Sequence, residues 1–253
     1  MKIIADTHIW YYLGQDENLF KKVKDEPIAP TFINIYELCK SENLIDRGDL
    51  VKHAIQKLFH FKTNVIYEPP FVYVAKLHKQ YDFDVKKEIG DILQFASMLA
   101  KGQSIEENKK ETFRIILKEK TQDLQNAADM FNAEAEKIRQ RIIDRNSHKK
   151  EDTQQLTGGF INFCVEVVTN KQCNLEGFDL NQIELLVKTL DKYFKSVEMG
   201  HRKIKANDWF DFAILGYVQP GDKIWTQEKQ WLNLIKEAGC ENYLFKVNKC
   251  KWF

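Results

Sequence analysis

The chain has no run of apolar residues near the roughly 20 that a membrane-spanning helix needs. Its start, Met1-Lys2-Ile3-Ile4-Ala5-Asp6, meets a charge too soon for the apolar core of a secretory signal. Net charge is nearly absent: 38 Lys and Arg stand against 37 Asp and Glu. Attraction to a polyanion would therefore have to come from a local basic patch. Cysteine is sparse as well. Cys39, Cys164, Cys173, Cys240 and Cys250 are odd in number, widely spaced and form no CxxC pair. That excludes a disulfide framework or a zinc knuckle as the organising device, and reduced thiols in a cytoplasmic protein are expected, several acting as small core hydrophobes. No P-loop, GxSxG or HExxH motif occurs, and no internal repeat is visible.

Against these absences, 43% hydrophobic and 30% charged residues describe a globular chain with a well-solvated surface. The 253 residues suffice for one large domain, or for a domain carrying an insertion. Residues 2–5 form a short apolar run that reads as a buried strand ending at Asp6-Thr7, followed by a helix that Gly14 should stop. Residues 27–30 form a second extended piece. Thr31 is placed to cap a helix running through Ile35, Leu38 and Ile45. Val65-Ile66-Tyr67 is a third strand candidate, closed by Pro69-Pro70, and residues 71–81 have helical spacing.

The middle changes character. Residues 105–145 contain neither Pro nor Gly, and an apolar stripe through Ile115, Ile116, Met130 and Phe131 predicts one or two long helices. Residues 145–155 read as a loop, and 160–168 and 180–197 as helices, the latter capped by Asp179. Residues 207–217 are again helical, 223–226 a strand, 228–238 a helix stopped by Gly239, and 243–247 a last strand. Strand, helix and strand joined by short links imply a parallel sheet with right-handed crossovers.

Three acids stand where a parallel sheet gathers its chemistry, beyond the carboxyl ends of its strands. Asp6 ends the first strand, Asp208 opens a late helix, and Glu228 follows the strand ending at Thr226. Each has a plainer reading as a turn or cap residue. Taken in order, however, Ile-Ala-Asp6-Thr7, Tyr36-Glu37-Leu38, Asn207-Asp208-xx-Asp211 and Trp225-Thr226-Gln-Glu228 resemble the PIN-domain nucleases over roughly residues 1–80 and 200–250.

The resemblance implies an α/β fold, a PIN-like parallel sheet flanked by helices. The core would comprise residues 1–85 and 200–253, interrupted by a mainly helical insertion over 86–199. It implies that Asp6, Glu37 and Asp208 hold Mg²⁺ or Mn²⁺, hard ions that prefer oxygen ligands, and that Thr7 supports the site. Glu228 stands where the family has a fourth acid, normally Asp, and Asp211, one helical turn after Asp208, is the other candidate for that place. The implied reaction is divalent-metal-dependent hydrolysis of phosphodiesters, in RNA more than DNA, by a toxin or defence effector or an RNA-processing enzyme. Expected partners are single-stranded or structured RNA, a protein inhibitor or partner on the helical insertion, and a second copy of the chain. No membrane is expected. The rivals are a PIN-like binding module whose site has decayed, a DNA-directed nuclease and a metal-dependent phosphatase.

Other residues carry two readings each. His8 either faces the site or is structural. His201, Arg202, Lys203 and Lys205 either hold phosphates or form a solvated basic stretch. Trp209, Trp225 and Trp231 either stack bases or pack in the core. Lys149 and Lys150 belong either to a solvated surface or to an arm that guides a partner.

Overall fold

A computed structural model describes residues 1–79, 81–144 and 153–247. The chain opens with β1 (Ile3–Ala5), α1 (Thr7–Gln15), α2 (Glu17–Val23), β2 (Ile28–Ala29), α3 (Phe32–Cys39), α4 (Asn43–Asp46), α5 (Gly48–His60), α6 (Pro70–His78) and α7 (Val85–Ala100). It continues with α8 (Lys110–Asp144), α9 (Thr153–Val168), α10 (Glu184–Glu198), α11 (Asp208–Leu215), β3 (Lys223–Trp225) and α12 (Lys229–Glu237). The protein is thus α/β, mostly helical, around a small parallel sheet of order β2-β1-β3. Ile4 of the central strand pairs with Ala29 on one side and Ile224 on the other.

The pieces expected as outer strands shrink to single bridges, Thr31 to Ile66 and Ile224 to Leu244. Physical reasons lie beside each. Pro69 and Pro70 lack the N–H groups to extend a ladder and start α6 instead. Residues Glu241–Tyr243 are spent in a 3-10 turn. A shorter helix also replaces the expected run through Ile45: α3 ends at Cys39, and Ile45 falls in α4. Gly14 does not stop α1. It lies inside the helix, where a Cβ would come within 2.8 Å of the backbone nitrogen of Ala54, so glycine lets α1 and α5 approach.

Alternation along β1 divides the interior in two. Ile3 and Ala5, with Ile28 and Trp225, face a core supplied by α1, α2, α5 and α7 through Trp10, Leu19, Ala54 and Leu99. Ile4, with Ala29 and Ile224, faces a second core supplied by α6, α9, α10, α11 and α12 through Val74, Val165, Leu190, Phe212 and Ile235. Residues 86–199 thus contribute to both cores, Leu99 to the first and Val165 and Leu190 to the second. The long α8 is different. Ile115, Ile116 and Met130 of its expected apolar stripe are exposed, while Leu117 and Ala128 are buried. It is tied down by polar contacts: Asn132 exchanges two hydrogen bonds with the backbone of Ile204 (2.8 and 3.0 Å), and the Trp209 indole donates to the Leu124 carbonyl at 3.2 Å.

Asp179 caps a 3-10 turn, Leu180–Ile183, rather than α10 itself. Residues 145–152 of the expected loop, with Lys149 and Lys150, lie outside the described residues, and Thr153–Gln155 belong to α9. Cys39, Cys173 and Cys240 are buried free thiols, Cys164 is a fourth free thiol, and Cys250 lies outside the described residues. Among the described residues no helix is long and apolar enough to cross a membrane.

Candidate active site

The carboxyl ends of β1 and β3 lie side by side, because the Asp6 N–H donates to the Trp225 carbonyl at 2.9 Å. Asp6 occupies the N-cap position of α1 but makes no side-chain cap bond. Its carboxylate is held instead by Thr226, whose hydroxyl donates to Oδ2 at 2.8 Å. The same hydroxyl accepts from the Glu228 N–H at 3.2 Å, so one threonine sets the chain at two acids.

Glu37 is positioned by the cap of its own helix. Thr31 and Asn34 form a reciprocal capping box at the start of α3. Nδ2 of Asn34 also donates to the Ala5 carbonyl at 3.0 Å and to Thr7 Oγ1 at 3.1 Å. Thr7 in turn donates its hydroxyl to Glu37 Oε2. The chain of bonds Asn34 to Thr7 to Glu37 ties α3 to the end of β1, and Glu37 follows Asn34 by one helical turn on the same face.

The start of α11 carries two acids with different surroundings. Asp208 is 5% exposed, and its carboxylate is satisfied: Tyr193 donates to Oδ2 at 2.5 Å, the Lys205 N–H donates to it at 2.9 Å, and Gln230 reaches Oδ1 at 3.5 Å. Asp208 is not among the residues lining the main cavity. Asp211 is. That cavity, of about 430 Å³, brings Asp6, Glu37, Asp211 and Glu228 together with His8.

The electrostatics follow from this crowding. Burial, then the charges of Asp6, Glu228 and Glu37, push the Asp211 carboxyl up to about 8. The indole N–H of Trp231, a buried donor without a hydrogen-bond partner, offsets this only weakly. Burial, then Asp6 and Glu228, push Glu37 up to about 7 against the Thr7 hydrogen bond and His8. Glu228 is raised by burial first and Asp6 second. His8 answers in the opposite sense. Nδ1 lies 3.3 Å from Glu228 Oε1 and 3.9 Å from Asp6 Oδ1. Chiefly through Asp6, and against partial burial, the imidazole rises to about 9.

Ligand atoms of Asp6, His8 and Glu228 lie within 4.8 Å of one another. An oxygen-rich set of this kind, with one imidazole, suits a hard divalent ion such as Mg²⁺ or Mn²⁺ better than a soft one. In addition, Glu37, Asp211 and Glu228, whose ionisation is opposed first by burial and then by neighbouring charges, are relieved by a cation.

The basic and aromatic candidates lie elsewhere. His201, Arg202, Lys203 and Lys205 do not line the cavity, and Arg202 sits over the Tyr193 ring at 5.1 Å. Trp225 and Trp231 are core residues, Trp231 stacked on Tyr193 at 5.9 Å, and Trp209 packs against Phe131, Phe160 and Phe212. Sequence reasoning missed Tyr36, Lys40, Phe210 and the Lys120 wall of α8, all of which line the cavity. It also missed Asn34, whose signal was present in the Thr31-x-x-Asn34 spacing; for Lys120, one lysine in a charged helix, there was none.

Compared with known proteins, the chain matches no family model, no curated protein and no solved structure.

Proposed function

We propose that the protein is a divalent-metal-dependent nuclease of PIN-like architecture that hydrolyses phosphodiester bonds, with RNA as its substrate. One observation carries the reading: Asp6, Glu37, Asp211 and Glu228, drawn from β1, α3, α11 and the end of β3, line one cavity at the carboxyl ends of a parallel sheet. When bound, Mg²⁺ or Mn²⁺ would activate water and stabilise the leaving oxygen. Asp6, anchored by Thr226, and Glu37, anchored by Thr7, are the ligands with the most fixed positions. Asp211 and Glu228 complete the set, and His8 supplies the compensating positive charge while the acids stand without a metal. Asp208 acts from behind, holding the start of α11 through Lys205 and Tyr193.

Labelled single-stranded RNA and DNA, incubated with purified protein in Mn²⁺, Mg²⁺ or EDTA, test this. Cleavage of RNA that needs the metal is expected. Undiminished cleavage in excess EDTA, or none of any nucleic acid with any metal, would overturn it. In the second case a PIN-like binding module is the reading that remains.

A further inference from the structure

Besides its acids, the cavity has a lining of different material. One face of α8, through Leu117, Lys120 and Leu124, forms a wall there. Lys120 is exposed overall, yet its Nζ lies 4.4 Å from the centre of the Tyr36 ring, and the partial loss of water lowers its pKa from the ordinary lysine value. Tyr36 in turn lies 5.8 Å from the Phe210 ring. Lys40, one turn after Tyr36 on α3, borders the same space.

Several other cations along and before α8 are paired, whereas Lys118 is, like Lys120, without an ion pair among the described residues. Lys109 meets Glu106, Lys110 meets Glu107, Arg114 meets Glu111 and Asp46, and Lys137 meets Glu134. Lys120 and Lys40 make no side-chain ion pair or hydrogen bond among the described residues, although five carboxylates, Asp6, Glu37, Glu42, Asp211 and Glu228, line the same cavity. An acidic site repels the phosphates it would cut, so cations and ring faces beside it are what a strand needs in order to enter. A base can be taken by such a walled cavity only once it is out of a duplex stack.

We propose that Lys120 and Lys40 hold a phosphate of a single-stranded nucleic acid while Tyr36 and Phe210 receive a base, so that α8 is the substrate-selecting wall of the site. The inference rests on the nuclease reading for what the acids do next, but the binding it describes is measurable without cleavage.

The test is fluorescence anisotropy with a labelled eight-nucleotide single strand, as RNA and as DNA, and with the same sequence as a duplex, in EDTA and in Ca²⁺. Lys120→Met should weaken single-strand binding roughly tenfold, the order of one charged phosphate contact. It should also flatten the dependence of log K on log salt by about 0.7, the loss of one contact on a single strand. Lys120→Arg should restore both. Lys110→Met, on the same helix but facing Glu107, should leave both unchanged. Lys40→Gln serves as the second variant should Lys120→Met fail to fold, and should flatten the salt dependence equally.

The thermal gain from Mn²⁺ is measured in parallel on wild type. If Mn²⁺ gives none and nothing is cleaved, yet Lys120→Met loses single-strand binding, the nuclease reading fails and the strand site stands. If metal-dependent cleavage is present but Lys120→Met and Lys40→Gln bind single strands like wild type, or duplex binds as tightly as single strand, this inference is overturned.

Discussion

Asp208 and Asp211 sit one turn apart on the same short helix, and they live under opposite conditions. Asp208 is enclosed by donors that want its charge: a tyrosine hydroxyl, a backbone N–H and a glutamine amide. Asp211 feels three other carboxylates and the Trp231 indole N–H, a buried donor with no hydrogen-bond partner at a suitable distance and angle among the described residues. A carboxylate that is already satisfied has little left to offer a ligand, whereas one held against repulsion gains from any cation that arrives. The likeness of the two in sequence hides this difference, because it depends on Tyr193, fifteen residues before Asp208, on Glu228, and on Asp6 and Glu37 near the start of the chain.

The sharpest way to break the comparison is to remove one charge at a time. Asp211→Asn should abolish metal-dependent cleavage, while Asp208→Asn should retain a measurable fraction of it. Equal loss in both would put Asp208 among the ligands. The same pair should separate in metal-free stability. Asp208→Asn gives up hydrogen bonds to a buried charge and should cost about 1–3 kcal/mol. For a chain of this size that lowers the melting temperature by about 2–4 °C per kcal/mol. Asp211→Asn removes an acid whose ionisation is opposed by burial and then by Asp6, and should melt higher than wild type. Thermal scans in EDTA read both.

A pH series sharpens the same point. Asp211 and Glu37 titrate near 8 and 7 in the folded protein, against ordinary values of 3.8 and 4.5. Between those limits the native state binds more protons than the unfolded chain. The stability they contribute is whole at acid pH and is lost as pH rises through the folded values. Metal-free protein should therefore lose stability from about pH 5 to pH 8, and Mn²⁺ affinity should climb over the same interval as the ligands give up their protons. A flat profile in both measurements would mean the acids do not feel one another.

The smallest effect belongs to His8, which is more than half exposed. Its raised value of about 9 makes it a cation at neutral pH, and its contribution fades as pH rises through that value. His8→Ala should lower the metal-free melting temperature slightly at pH 7 and enlarge the gain from Mn²⁺, since the metal then replaces a missing charge.

How far the sequence led can be judged at particular residues. The central strand was legible because Ile3, Ile4 and Ala5 form an apolar run closed by a polar pair, and β3 because Ile224 and Trp225 repeat that pattern. Asp6 and Glu228 could be placed by position relative to those strands, whereas Glu37 stands out only through the resemblance. The sequence names Asp208 as a ligand and leaves the fourth place to Asp211 or Glu228; that Asp211 lines the cavity and Asp208 does not depends on hydrogen-bond partners that only the fold supplies. The standing of residues 86–199 was not legible either. Amphipathic spacing in α9 and α10 says that one face is covered, but not that Val165, Leu186 and Leu190 share a core with Ile4 and Ile224 of the sheet. Gly14 shows the same limit: a stop signal and a close helix approach look alike until Ala54 is placed beside it.

The middle strand of the sheet has a consequence for the order of synthesis. Ile4 lies between a neighbour made soon after it and one at Ile224, some 220 residues later. At a ribosomal pace of about 5–20 residues per second, roughly ten to forty seconds separate the two. Throughout that interval β1 has one open edge, and Asp6 and Glu37 wait without Asp211 and Glu228. If the acids cut RNA, a nascent chain carries only half of the cutting site until residues 211–228 have been made, and the late pairing that closes the sheet would also complete the site.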